Sequence, residues 1–325
     1  MTWMVTGGAG YIGSHVVHAF LDAGIPAVVL DDLSTGHRSF VPAEVPFTHA
    51  DINDTSAVAA AMREHGVLGV VHVAGFKYAG VSVQEPLLTY RTNVSGTVSV
   101  LQACRDAGVR SMVFSSSAAA YGTPETDRVT EDTATRPESP YGESKVIGEW
   151  LLAAEARATG LRHTSLRYFN VVGSGHEHLV DTSPHNLFSL TFDAILEGCS
   201  PTIFGDDYPT EDGTCVRDYI HVADLARSHV SAARRLQAGD DLAPVYNLGS
   251  GSGVSVRQIM GAVAAVTGVD VKPEVHVRRP GDPPRVVADG TLATQDLDWQ
   301  TRHSLEQMVS SAWAARQRWQ TRGQD

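Results

Sequence analysis

From Met1 to about Phe169 the chain alternates short β-branched and aliphatic runs with longer stretches whose apolar positions recur at helical spacing. Strands are predicted at Trp3–Thr6, Ala27–Leu30, Phe47–His49, Gly69–Val73, Ser111–Phe114 and Thr164–Arg167. Helices are predicted at Ile12–Ala23, Ser56–Glu64, Leu87–Ala107 and Glu143–Ala158. The last puts Ile147, Trp150, Leu151 and Ala154 on one face. Alternation of this kind winds helices onto both faces of a parallel sheet. The predicted fold class is α/β: a Rossmann-type doubly wound parallel sheet with a smaller, interleaved α/β lobe.

The rhythm weakens after Asn170, where a Gly- and His-containing loop leads to a predicted helix at Leu187–Leu196 and a Gly-, Pro- and Asp-rich loop over 205–213. Residues 1–169 are therefore expected to form the sheet domain and 170–325 mainly the smaller lobe. Later pieces near 216–248, with strands at Tyr219–Val222 and Val245–Leu248 and a helix at Asp224–Leu236, are expected to return to the main sheet.

Composition narrows the partners. The net charge of −12 argues against nucleic acid, which needs clustered cations. No apolar run approaches the ~20 residues that span a bilayer, which predicts no membrane partner and a cytoplasmic location. Cys104, Cys199 and Cys215 are an odd, widely spaced set and read as reduced, buried small hydrophobes rather than disulfide or metal ligands. Of 25 Lys plus Arg only three are lysine, Lys77, Lys145 and Lys272, so each lysine carries information.

The first predicted strand runs into Gly7, Gly10 and Gly13 and then into the first helix. Gly7 permits a tight turn, Gly10 lets backbone approach a pyrophosphate, and Gly13 lets the helix pack on the strand, with its N-terminus facing the phosphates. The second strand ends at Asp31, 18 residues beyond Gly13, where a carboxylate can hold the adenosine ribose hydroxyls. Asp31 repels a 2′-phosphate and Asp32 adds to the repulsion, so the predicted cofactor is NAD rather than NADP.

Tyr141 and Lys145 lie one turn apart on a predicted helix. A phenol is a poor base at neutral pH, and an adjacent ammonium favours its ionised form. Ser115, Ser116 and Ser117 follow the fifth strand, at the end of a parallel sheet where ligands bind. Position does not choose among them; Ser117 is taken as the candidate that shares a reacting proton with Tyr141.

This combination resembles the extended short-chain dehydrogenase/reductase family, and within it the branch that epimerises UDP-hexoses at carbon 4. The likeness covers nearly the whole chain, through segments 5–15, 72–77, 114–118, 139–145, 166–170, 204–213, 216–222 and 246–249. It implies interconversion of UDP-glucose and UDP-galactose through a 4-keto sugar, with Tyr141 as base for the 4-hydroxyl, Lys145 on the nicotinamide ribose, Ser117 bridging to the substrate oxygen and Lys77 at the pyrophosphate. Further implied cofactor contacts are Tyr11, Ile12, Asp51, Ile52, Val73, Ala74, Gly75 and Phe169. Those to the UDP-sugar are Asn170, Asn186, Leu187, Phe204, Arg217, Arg279 and Asp282, where the two arginines supply local positive charge for a diphosphate. A homodimer through helices 87–107 and 143–158 also follows from the resemblance.

Four departures qualify that likeness. Thr92-Asn93 stands where the family often has paired asparagines, with Thr92 at the cofactor-contact position. Val286 falls where some members carry a bulky tyrosine, leaving space for an N-acetyl sugar. Ala118-Ala119 replace the acid pair that nucleotide-sugar dehydratases place after the active-site hydroxyl, which argues against elimination; another UDP-sugar-modifying short-chain dehydrogenase (decarboxylase, dehydratase or reductase) or a catalytically silent NAD-sensing protein stays as the alternative. The loop before Asn186 is short and carries His176 and His178, which resemble metal ligands without a third partner at a familiar spacing; no metal is predicted.

Overall fold

The computed structural model describes residues 1–126, 128–279 and 282–322. The first half of the chain gives β1 (Thr2–Thr6), α1 (Tyr11–Asp22), β2 (Ala27–Asp31), β3 (Phe47–His49), α2 (Thr55–Glu64), β4 (Val67–His72), α3 (Ala79–Gln84), α4 (Pro86–Tyr90), α5 (Gly96–Ala107), β5 (Ser111–Ser117), β6 (Arg128–Val129), α6 (Pro140–Thr159) and β7 (Arg162–Tyr168). The second half gives β8 (Asn170–Val172), α7 (Leu187–Leu196), β9 (Thr202–Phe204), β10 (Val216–His221), α8 (Val222–Ala238), β11 (Val245–Leu248), β12 (Gly253–Ser255), α9 (Val256–Thr267), β13 (Glu274–His276), β14 (Arg285–Ala288), α10 (Thr291–Leu297) and α11 (Leu305–Arg322).

Seven strands form one sheet in the order β11-β7-β5-β4-β1-β2-β3, every pair parallel. Successive β1 residues feed opposite faces. Trp3 and Val5 enter a core with Val16, Phe20 and Leu225, whereas Met4 packs with Val58, Met62 and Val100. The sheet is thus buried on both sides, which is why its strands read as continuous apolar runs. Chain order reverses between β1 and β4, and the crevice at their carboxyl ends is where open α/β sheets bind ligands.

The second sheet runs β12-β10-β14-β6, with β8 also on β10. Residues 216–221 differ here from the sequence expectation: they pair with β8, β12 and β14 and never join the main sheet. The edge beside β7 is taken by β11 instead, with Tyr246 opposite Leu166, and α8 covers the core face of that sheet.

Other readings change as well. Strand β5 continues through Ser117, because the three serines are buried and hydrogen-bonded rather than turn-forming. The predicted helix 87–107 is interrupted by a π-turn over Arg91–Ser95, a device often found at functional sites. Trp150 lies outside the core, 65% exposed, and Cys199 is exposed while Cys104 and Cys215 are buried. His176 and His178 are half-buried against His18 of α1, with ring centroids 4.1 and 5.5 Å from it. Among the described residues no three side chains are grouped to hold a metal, and no helix is long and apolar enough to cross a membrane.

Candidate active site

The turn after β1 is built by steric necessity. Gly7 has φ 70°, and a side chain there would strike the Ala74 backbone at 2.7 Å. At Gly13 a Cβ would lie 2.0 Å from the Gly7 carbonyl oxygen, so only glycine lets α1 start this close to the strand. No side chain caps α1 and its first turn has no acid, which leaves the N–H groups and positive dipole end facing the crevice. Tyr11 points away: its hydroxyl donates to the Gly173 carbonyl at 2.5 Å and joins the turn to the second lobe. Ile12 is half-buried against the sheet core.

Asp31 ends β2 with its carboxylate accepting from the Ala9 N–H at 2.9 Å and the Leu33 N–H at 2.8 Å. Each oxygen keeps a lone pair for a ribose hydroxyl; burial pushes the carboxyl up while the two N–H bonds pull it back. Asp32 is exposed and accepts from Ser34 N–H and hydroxyl, and Asp51 accepts from the backbone N–H and side-chain amide of Asn53. Ile52 is buried against Gly96.

Across the crevice the N–H groups of Val73 and Ala74 bond the Thr6 carbonyl, and the chain passes Gly75 to Lys77. Lys77 is half exposed, 3.7 Å from Asp181. Thr92 is half-buried in the π-turn. Its neighbour Asn93, which sequence reasoning did not choose, is buried and accepts from Phe76 N–H at 2.6 Å, donating to the Phe76 carbonyl and to Ser144. Asn93 therefore fixes the strap that carries Gly75 and Lys77 to the start of α6.

Helix α6 begins with Ser139 as cap, accepting from the Gly142 N–H at 3.2 Å, and Pro140 in the first turn. Gly142 and Gly148 let it press on Ala119 and the Phe114 ring, where a Cβ would clash at 2.5 and 2.6 Å. This seats Tyr141 and Lys145 over the end of β5. The Lys145 ammonium donates to the Ser115 carbonyl at 2.9 Å and lies 5.6 Å from the Tyr141 ring centre. Burial pushes the Tyr141 phenol up, and its hydrogen bond with Ser117 pulls it back. Burial lowers Lys145 to about 8, with Glu149 opposing.

The geometry also separates the serines. Ser115 bonds His229 at 3.1 Å and Ser116 bonds Glu149 at 2.6 Å, both buried, whereas Ser117 meets Tyr141. The second lobe brings together four of the substrate candidates in pairs. Arg279 stacks on Phe204 at 3.9 Å, and Arg217 bonds Asp282 at 3.1 Å and the carbonyls of Val216 and Pro283. Asn170 donates to the Asp218 carbonyl, Asn186 caps α7 beside Leu187 and bonds Asp181, and Phe169 packs with Tyr121, Ala118 and Val286. The signal for Asp218 itself lay unused in segment 216–222: its buried carboxylate accepts from Ser250, Gly251 and Ala288 and fixes the loop after β11 against β10 and β14.

Fold and site together define a dinucleotide-binding α/β protein with a Ser–Tyr–Lys centre. Residues 3–249 match the model of the NAD dependent epimerase/dehydratase family, and the chain belongs to that family. It is 45% identical to a UDP-glucose 4-epimerase of Azospirillum brasilense over 95% of this chain and 90% of that one. A solved UDP-glucose 4-epimerase of Brucella ovis in complex with NAD is similar with TM-score 0.92, 40% identity and coverage of 96% and 97%. A UDP-Glc/GlcNAc 4-epimerase of Campylobacter jejuni is similar with TM-score 0.85, 34% identity and coverage of 97% and 99%.

Proposed function

We propose that this protein is an NAD-dependent epimerase that inverts carbon 4 of a UDP-hexose, interconverting UDP-glucose and UDP-galactose. The observation that carries the reading is the convergence of Ser117, Tyr141 and Lys145 at the carboxyl end of β5, beside the crevice lined by Gly7 and Asp31. Relatives of 37–45% identity that are UDP-glucose 4-epimerases support it.

The residues present fit the cofactor. The uncapped start of α1 offers N–H groups to a pyrophosphate, Gly7, Gly10 and Gly13 clear its approach, and Asp31 accepts from ribose hydroxyls and repels a 2′-phosphate. Ile12, Asp32, Asp51, Ile52, Val73, Ala74, Gly75, Lys77, Thr92 and Phe169 complete its surroundings in this reading. NAD held by these residues would supply a reversible hydride acceptor for carbon 4.

Tyr141 takes the proton of the 4-hydroxyl and later gives it back, and Ser117 shares that proton and holds the oxygen. Lys145 stabilises the phenolate and would bond the nicotinamide ribose. The UDP end is held by Arg279, Arg217, Asn170, Asn186, Leu187 and Phe204, with Asp282 fixing Arg217. Firm anchoring there leaves the hexose free to present either face. Val286, beside Arg217's strand and the Phe169 ring, is small, which favours acceptance of UDP-GlcNAc and UDP-GalNAc as well.

Elimination is disfavoured because β5 passes directly into Ala118 and Ala119, which offer no acid. A homodimer through α5 and α6 is part of the reading: Trp150, Leu87 (81% exposed) and Val98 stand on or beside these helices. Three free cysteines suit a reducing, cytoplasmic setting.

The test is incubation of the purified protein with UDP-galactose and no added cofactor. UDP-glucose is the expected product; no conversion even after NAD is supplied would refute the reading.

A further inference from the structure

Helix α6 carries two charges one turn apart on the same face, Lys145 and Glu149, and both are buried at 5% and 7% exposure. Glu149 accepts from the Ser116 hydroxyl at 2.6 Å and from Arg167 of β7 through Nε at 2.8 Å and Nη2 at 2.5 Å. Arg167 lies 4.8 Å over the Tyr121 ring. Two cations, Lys145 and Arg167, thus lie in the interior behind the reactive tyrosine, with the Glu149 carboxylate bonded to Arg167. A buried cation without a counter-charge is costly, and for lysine the cheapest relief is loss of its proton.

We propose that Glu149 is a positioning residue for the reaction: its carboxylate, clamped by Arg167 and Ser116, keeps the Lys145 ammonium charged and directed at the Ser115 carbonyl beneath Tyr141. This rests on the reading of Lys145 as the ammonium that assists Tyr141. The groups facing Lys145 from each neighbouring element leave the task to Glu149. On β4, His72 is held neutral by burial, at about 3. On β5 the Ser115 carbonyl and Phe114 ring are uncharged, on α6 Tyr141 is a phenol pushed upward, and Asn93 is neutral. On β7 Tyr168 is also held as a phenol, and Arg167 adds a second positive charge. Glu149 is the carboxylate opposing the burial of Lys145.

The chain's three lysines make the test direct. With ¹³Cε-labelled lysine, Lys145 is followed by NMR in the full-length protein and in Glu149→Gln, assigned by Lys145→Arg. The expected result is a Lys145 midpoint lower by about one pH unit or more, the size expected when a neighbouring opposite charge is removed. The alkaline limb of kcat/KM with UDP-galactose should move down with it; a merely structural loss would lower the rate without moving the limb. Glu149→Asp should restore most of the shift.

Should Glu149→Gln fail to fold, Arg167→Met removes the second cation and leaves the Glu149 carboxylate to Lys145 alone, and the Lys145 midpoint should then rise by a comparable amount. A midpoint within about 0.3 unit of wild type in either folded variant would overturn the proposal, since that is under about half a kcal/mol of interaction. If the wild type does not epimerise UDP-galactose, the functional reading fails, while the NMR midpoint still decides the effect of Glu149.

Discussion

Asn93 holds both backbone polar groups of Phe76, accepting its N–H at 2.6 Å and donating to its carbonyl at 3.0 Å. The strap between β4 and α3 is therefore latched to the π-turn that interrupts the helical stretch before α5. Truncation leaves these buried groups unpaired, which costs about 1–3 kcal/mol. Asn93→Ala should lower thermal stability and, by loosening the segment carrying Gly75 and Lys77, weaken NAD retention by about tenfold. Unchanged NAD occupancy after purification, measured by absorbance of the released cofactor, would contradict a role for the latch in cofactor binding.

Asp31 sets which dinucleotide is retained. In Asp31→Asn the side chain still accepts from one backbone N–H, but its charge is gone and its amide cannot accept from the ribose as a carboxylate does. NAD affinity should fall by about ten- to a hundredfold, on the order of one or two charge-assisted bonds, and discrimination against NADP should shrink. Isothermal titration with both cofactors checks this; an unchanged preference would place the ribose elsewhere.

Acid should destabilise this protein well above the carboxylate range. Burial holds His15 and His72 at about 3 and His18, His221 and His229 at about 4. The unfolded chain protonates these rings near pH 6.5, so below that value it binds more protons than the native state. Their native pKa values are depressed, so stability is full above about 6.5 and falls as pH drops toward about 4. Asp31 and Asp218, pushed upward by burial, oppose the trend only lower on the scale. Melting temperatures should decline steadily from about pH 6.5 to 4.5; a flat profile would contradict the assignment of neutral buried rings.

Trp150 is 65% exposed on α6, close to the helices that carry Val83, Leu87 and Val98. Exposed apolar patches of this kind mark association surfaces. Trp150→Asp should convert a dimer to a monomer in sedimentation at micromolar concentration while leaving the fold intact by circular dichroism. A wild-type monomer, or a variant still dimeric, would count against this face.

The features legible in the sequence are those fixed by local spacing. Gly7, Gly10 and Gly13 sit on one turn, and Tyr141 and Lys145 on one face of α6, so their geometry follows from helix and turn rules alone. The two-sided burial of β1, β2 and β4 likewise shows as unbroken apolar runs. What escaped depends on contacts distant in the chain. Asn93 meets Phe76 and Ser144 only because the π-turn rotates it inward, and the Glu149–Arg167 pair joins α6 to β7. Strand β5 runs past its apolar residues because His229 and Glu149 satisfy two of the serine hydroxyls inside the core, contacts that strand patterning does not show. Residues 216–221 could not reveal their sheet, since which strand fills the edge beside β7 is decided by β11.

The central claim is that Tyr141 drives a redox-neutral inversion at carbon 4 within one bound sugar. UDP-galactose deuterated at carbon 4, supplied without added cofactor, tests it most directly. The account predicts UDP-glucose with the deuterium still on carbon 4, and a loss of at least about a hundredfold in rate for Tyr141→Phe, the scale of general acid–base catalysis. Deuterium washed out into solvent, or a Tyr141→Phe protein as active as wild type, would contradict it.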